Sequence, residues 1–269
     1  MSFAKVLRSL SAAALMGLAG TTSADIVTQW DFQNVNTVVA TGNSVLDTSP
    51  TPTIGVGTAK TLGMTNTYGT PGPSVDISDV FETTGISDQG SSDPTAPALN
   101  NIWRVRGGEP TGGTQAANGW SSLAPAYTQG AEFDVSTTGF TNIKTSYDWL
   151  PTNRGVADQQ LQYTTDGTHW TNVGPVLVAT ASKWMNQNTF DFSNTPGVSN
   201  NPNFGIRMVS LPDPTKGIYI DTTGTALNNN SGNWRFDMVT VSGTAVPEPA
   251  TASLAVLAGA GLIARRRRA

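Results

Sequence analysis

Ile143-Lys144-Thr145-Ser146-Tyr147-Asp148-Trp149 alternates without a break. Ile143, Thr145, Tyr147 and Trp149 fall on one side of an extended chain, and Lys144, Ser146 and Asp148 on the other. A period of two is the signature of a strand with one buried and one wet face. The pattern repeats outward in both directions. Upstream it appears in Gln29-Trp30-Asp31-Phe32-Gln33, in Asn101-Ile102-Trp103-Arg104-Val105-Arg106 and in Ala131-Glu132-Phe133-Asp134-Val135. Downstream, Leu161 and Tyr163 alternate with Gln160, Gln162 and Thr164, and Phe190 and Phe192 flank Asp191. Phe204, Ile206 and Met208 flank Gly205 and Arg207, and Trp234, Phe236 and Met238 alternate with Arg235 and Asp237. Strands with one wet face belong to antiparallel sheets, so the expected fold is all-β, an antiparallel β-sandwich.

The turns agree. Thr165-Asp166-Gly167-Thr168 separates the Leu161–Tyr163 strand from one starting near Trp170, and Asp-Gly is the strongest short hairpin signal. Pro71-Gly72-Pro73, Pro151-Thr152-Asn153, Asn200-Asn201-Pro202 and Asn228-Asn229-Asn230 punctuate the rest. No segment keeps a helical apolar spacing beyond two turns. Apart from the strand at 101–106, residues 83–119 read as long loops on one rim, where binding sites tend to lie. No fixed-period repeat appears, which argues against a solenoid or propeller.

Both ends stand outside this pattern. Residues 1–24 join Lys5 and Arg8 to an apolar stretch, Leu10 to Gly20, and a small-residue end, Thr22-Ser23-Ala24. That is the plan of a secretory signal peptide, with cleavage expected after Ala24. The other end, 244–269, holds Val246-Pro247-Glu248-Pro249, a 15-residue apolar run from Ala250 to Ala264, and Arg265-Arg266-Arg267-Arg268. As a helix that run spans about 22 Å, short of the ~30 Å hydrocarbon core. The arginines mark the cytoplasmic side. The expected organisation is therefore a signal helix (1–24), a sandwich domain (25–243) and a sorting segment with a hydrophobic helix (244–269).

Removing the ends changes the charge. Six of the 15 basic residues and none of the 19 acidic residues lie outside residues 25–249, which leaves 9 against 19 and a formal charge of −10 for that stretch. Such a domain repels nucleic acid and anionic membrane surfaces. Cysteine is absent, which removes thiol catalysis, zinc–cysteine sites and disulfide staples.

The tail resembles the PEP-CTERM sorting domain of bacterial exported proteins, known also as the ice-binding protein C-terminal domain; that second name describes the tail and is no sign of ice binding. Val246, Pro247, Glu248 and Pro249 correspond to the sorting motif, and Arg265, Arg266, Arg267 and Arg268 to the cytoplasmic stop. The resemblance implies export, transient membrane residence, handling by secretion machinery and an exosortase-like membrane enzyme, and delivery to the cell surface or extracellular matrix. A second resemblance rests on Gln129 to Phe140, Gln162 to Trp170 and Asn233 to Val239. These stretches are similar to extracellular jelly-roll modules, many of which bind carbohydrate.

The chemistry-bearing residues narrow the role. His169 is the sole histidine; it sits in the hairpin without a Gly-x-Ser-x-Gly elbow, so no catalytic residue is assigned. Thr164 to Trp170 resembles the Asp-box turn of sialidase-type propellers, but Asp166 and Gly167 adjoin where that motif separates them. Glycoside hydrolysis requires two facing carboxylates. No local spacing selects a pair among Glu82, Glu109, Glu132 and the aspartates. Asp31 and Asp237, each between apolar neighbours near the first and last strands, are candidates for a structural Ca²⁺ of the kind jelly rolls carry; the alternative is two solvated side chains. Trp103, Trp120, Tyr127 and Trp184 lie in or near loop-rich segments and are candidates for stacking on sugar rings. The expected role is a non-enzymatic surface or matrix protein that binds polysaccharide. Its rivals are a secreted glycosidase-like hydrolase with loop-borne carboxylates and a purely structural matrix component.

Overall fold

The computed structural model describes residues 24–33, 44–46, 50–63, 65–67, 70–71, 75–80, 90–94, 100–105, 120–227 and 232–247. The signal segment up to Ser23 and Glu248, Pro249 and Arg265–Arg268 of the tail lie outside them; Val246 and Pro247 lie inside and are exposed.

Strands dominate, and no helix occurs among the described residues. In chain order they are β1 (Asp25–Trp30), β2 (Ser44–Leu46), β3 (Gly57–Leu62), β4 (Thr65–Thr67), β5 (Thr70–Pro71), β6 (Val75–Val80) and β7 (Asn100–Val105). Then come β8 (Gly130–Val135), β9 (Phe140–Pro151), β10 (Asp158–Thr164), β11 (Thr171–Val178), β12 (Met185–Asp191), β13 (Gly205–Ser210) and β14 (Trp234–Ala245). One sheet runs β12-β9-β14-β7-β6-β2, with β1 also on β14; a second runs β11-β10-β13-β8-β3; β4 and β5 form a small ribbon. Every pairing is antiparallel. The 12-residue β14 is long enough to share one edge between two partners: Trp234–Phe236 pair with β7, and Val239–Gly243 with β1.

The apolar faces of the two sheets meet through aromatic rings. Trp30 and Trp103 of the first sheet approach Phe133 of the second edge-on, at 5.0 and 5.5 Å between centroids. Trp149 packs on Trp234 at 5.3 Å, and Phe192 on Phe204 at 5.6 Å. Such rings bury ~150–250 Å² each, on the order of 4–6 kcal/mol apiece at ~25 cal/mol/Å². Eleven large side chains are fully buried, enough apolar surface to stabilise the fold without a disulfide. The indole N–H groups of Trp30 and Trp234 donate to the carbonyls of Pro50 (2.9 Å) and Val156 (2.7 Å), which offsets the cost of burying them.

The Asp-Gly hairpin forms as its sequence requires. Asp166 Oδ1 accepts the backbone N–H groups of Thr168 and His169 at 2.8 and 2.7 Å, and Gly167 takes φ 77°. The His169 amide, the His169 ring and the Thr168 amide hold the Asp166 carboxyl well below the usual carboxylate range. The turn sets Gln162 opposite Asn172 and Tyr163 opposite Thr171.

The alternation fails in instructive places. Asp148, Gln160, Gln162 and Asp237 fall on the expected wet faces but are buried. Asp148 is covered because Ser92 and Gln187 fold over it and donate their N–H groups to its carboxylate. Gln160 turns its amide into a bulge of β11, donating to the Val173 carbonyl at 2.9 Å. At the start of the chain the alternating strand stops at Trp30, since Phe32 has φ 57° and reaches the core from a turn.

Two bulges flank one segment of β9. On the β14 side Asp237 pairs with Asp148 and Thr240 with Ser146, so β14 spends one extra residue. On the β12 side Met185 pairs with Trp149 and Asn188 with Tyr147, again with one extra residue. Met238 (φ 50°) and Gln187 (φ 55°) occupy those positions in the left-handed region, which non-glycine residues rarely enter.

Candidate functional site

The outer face of the second sheet carries one continuous polar row. Lys60, Glu132, Arg207, Gln162 and Asn172 are successive Cα partners across β3, β8, β13, β10 and β11. Five strands at ~4.8 Å spacing set this row at about 19 Å. Direct contacts join Lys60 to Glu132 and Arg207 to Gln162 and Asn172. Lys60 Nζ lies 2.6 Å from Glu132 Oε1 and 3.7 Å from Asp134 Oδ2. Arg207 Nε donates to Gln162 Oε1 at 2.6 Å, and Gln162 Nε2 donates to Asn172 Oδ1 at 2.6 Å.

Electrostatics follow the geometry. The hydrogen bond to Glu132 raises the Lys60 pKa against the opposing effect of burial. Desolvation lowers that of Arg207, opposed by the Glu132 charge. The Arg207 guanidinium lies over the Trp170 ring, 4.4 Å from its centroid, a cation–π contact that holds both groups in place. Both residues are half-buried. No described residue accepts from the terminal Nη groups of Arg207, which leaves those donors for a ligand.

The adjoining row keeps the surface low. Thr58, Asp134, Gly205 and Thr164 are partners in register. A Cβ at Gly205 would meet Asp134 Oδ1 at 2.8 Å, so the glycine lets that carboxylate lie low over the sheet. The result is a flat face with an aromatic ring stacked on Arg207, from which Lys60, Arg207 and Asn172 reach solvent while Glu132 and Gln162 are buried. That combination suits a polyhydroxylated chain.

The stacking candidates fare differently. Trp103 (0% exposed) and Trp120 (1%) belong to the core, which corrects the expectation that they face a ligand. Trp103 stacks on Phe32 at 6.1 Å, and Trp120 lies 4.6 Å from Trp234, so neither ring has a free face. In each case the apolar gain of filling the space between the sheets outweighs any benefit of exposure. Tyr127 and Trp184 are half-buried and belong to different parts of the fold. Tyr127 donates its amide to Ser210 at the end of β13, whereas Trp184 lies against Gly90 and precedes β12. The residue that alternation and loop position missed is Trp170, set over Arg207 by the hairpin.

Asp31 and Asp237 lie near the paired strands β1 and β14, where Trp30 partners Val239. Asp31 Oδ1 accepts the Gln33 amide at 3.0 Å, and Asp237 Oδ1 accepts the Met238 amide at 2.7 Å. Among the described residues no group of three or more acidic or histidine side chains gathers. Calcium takes six to eight oxygens, so a site at these two carboxylates requires further donors. His169 is exposed, its Nδ1 2.6 Å from Asp166 Oδ2, and it belongs to the hairpin.

Neither a scan against protein-family models nor a search of curated proteins returns a match for the chain.

Proposed function

We propose that this protein is an exported, non-enzymatic polysaccharide-binding module of jelly-roll β-sandwich type. Its signal segment and PEP-CTERM-like tail route it through secretion machinery and an exosortase-like enzyme to the cell surface or matrix. The observation that carries the binding role is the row from Lys60 to Asn172 with Trp170 stacked on Arg207. Lys60, Arg207 and Asn172, on alternate strands, reach solvent at intervals of about 10 Å, a regular spacing such as a repeating ligand has. The row mixes cations and anions, and the −10 charge of residues 25–249 repels polyanions, so the favoured ligand is a neutral polysaccharide. Affinity electrophoresis of the exported protein through gels containing neutral or acidic polysaccharides tests this reading. Retardation by a neutral polymer, lost in Trp170→Ala, supports it; free migration in all of them refutes it.

A further inference from the structure

The first sheet carries a different polar row on its own outer face. Gln29, Thr240, Ser146 and Thr189 are successive partners across β1, β14, β9 and β12. They floor a cleft of about 300 Å³ whose walls include Asp148, Ser92, Gln187 and Met238. The two bulges create this shape, because each takes its strand out of register beside the same stretch of β9. Bulges of this kind often sit beside binding sites, where they re-aim side chains. Two left-handed non-glycine residues at one cleft each cost roughly 1–3 kcal/mol of strain.

The polar groups divide into those that build the cleft and those that remain free. Asp148 builds: its Oδ1 accepts the Gln187 amide at 2.7 Å, and its Oδ2 accepts the Ser92 amide. Thr189 donates to the Gln187 carbonyl at 3.0 Å. Thr240 donates to the Met238 carbonyl at 2.9 Å and accepts from Gln29 Nε2 at 2.9 Å. Three groups lining the cleft have no partner among the described residues: the Ser146 hydroxyl, the side-chain Oε1 of Gln29 and the Gln187 carboxamide.

We propose that this cleft binds one neutral, hydroxyl-rich ring of hexose size, hydrogen-bonded to Ser146, Gln29 and Gln187 with Met238 as the apolar wall. Its volume lies at the small end of ligand sites, right for a single ring. Among the described residues no cationic side chain lines it, so a phosphate, sulfate or uronate gains nothing from them. Asp148 has both oxygens occupied by amides, which disfavours a divalent cation. The site is independent of the Arg207 row, being on the other sheet and built from other residues.

Ligand-observed saturation-transfer NMR on the exported protein, with glucose, galactose, mannose and myo-inositol as neutral probes and glucuronate as the charged one, tests the proposal. The expected result is saturation transfer to at least one neutral probe and none to glucuronate. Ser146→Leu, which fills the floor, should weaken binding by about tenfold or more while Trp170→Ala leaves it unchanged. Should Ser146→Leu fail to fold, Gln29→Ala removes a free acceptor from the wall and is expected to weaken binding in the same direction. Absence of transfer to every neutral probe would overturn the assignment, as would equal binding of glucuronate or undiminished binding by both folded variants.

Discussion

Arg207 is held between Trp170 and Gln162: its guanidinium lies 4.4 Å from the indole centroid, and its Nε donates to the Gln162 carboxamide at 2.6 Å. The planar guanidinium makes both contacts at once, which an ammonium does not. Arg207→Lys should therefore cost about 1 kcal/mol of stability by loss of the stacked geometry. It should also weaken polysaccharide binding with the charge retained. Urea midpoints and gel retardation measured on the same variant check the two effects separately.

Asp158 is fully buried, and neither carboxylate oxygen has a hydrogen-bond partner. Burial, with a smaller contribution from Asp213, pushes its carboxyl from the ordinary 3.8 up to about 6, opposed by Lys216. The folded form thus holds its proton in a range where the unfolded chain has released it. Stability falls as pH rises from about 4 to 6 and stays reduced above that window. The shift corresponds to about 3 kcal/mol at most. Asp158→Asn is expected to gain about 1–3 kcal/mol at pH 7–8 and nothing at pH 3. Denaturant midpoints across pH measure this, and an equal gain at both ends contradicts it.

Gln187→Gly removes both a strained residue and a wall of the first-sheet cleft. A left-handed non-glycine costs roughly 1–2 kcal/mol, and glycine in a strand gives back roughly 0.5–1 in chain entropy. The variant should be as stable as the parent or more so, by up to about 1 kcal/mol, with weaker binding of neutral sugars. A thermal melt and a sugar titration read the two effects. Loss of stability would show that the bulge is not strained.

The sorting proposal has its own test. Replacing Arg265–Arg268 with alanine, or deleting Val246–Pro249, should misroute the protein with its fold intact. Cell fractionation and the mass of the mature chain report on it. Unchanged location and mass in both variants would refute the route.

Local pattern revealed most strands because one face of each meets the core. Ile143, Tyr147 and Trp149 are buried as their alternation requires, and Asp166-Gly167 placed its own hairpin. β3 was hidden because Gly57-Thr58-Ala59-Lys60-Thr61-Leu62 buries little beyond Ala59, so its apolar signal is faint. Both proposed binding surfaces were illegible for a different reason. Lys60 meets Glu132, and Glu132 faces Arg207, only once strands far apart in the chain pair in one register. The bulges at Gln187 and Met238 arise without the glycines that would have announced them. Trp103 and Trp120 misled for the converse reason: loop-rich neighbours suggested exposure, while the space between the sheets took both rings.

The most direct measurement is the mobility of the exported protein and its Trp170→Ala variant through gels loaded with a neutral polysaccharide. The account predicts strong retardation of the parent and free migration of the folded variant. Equal mobility of the two, retarded or not, would contradict it.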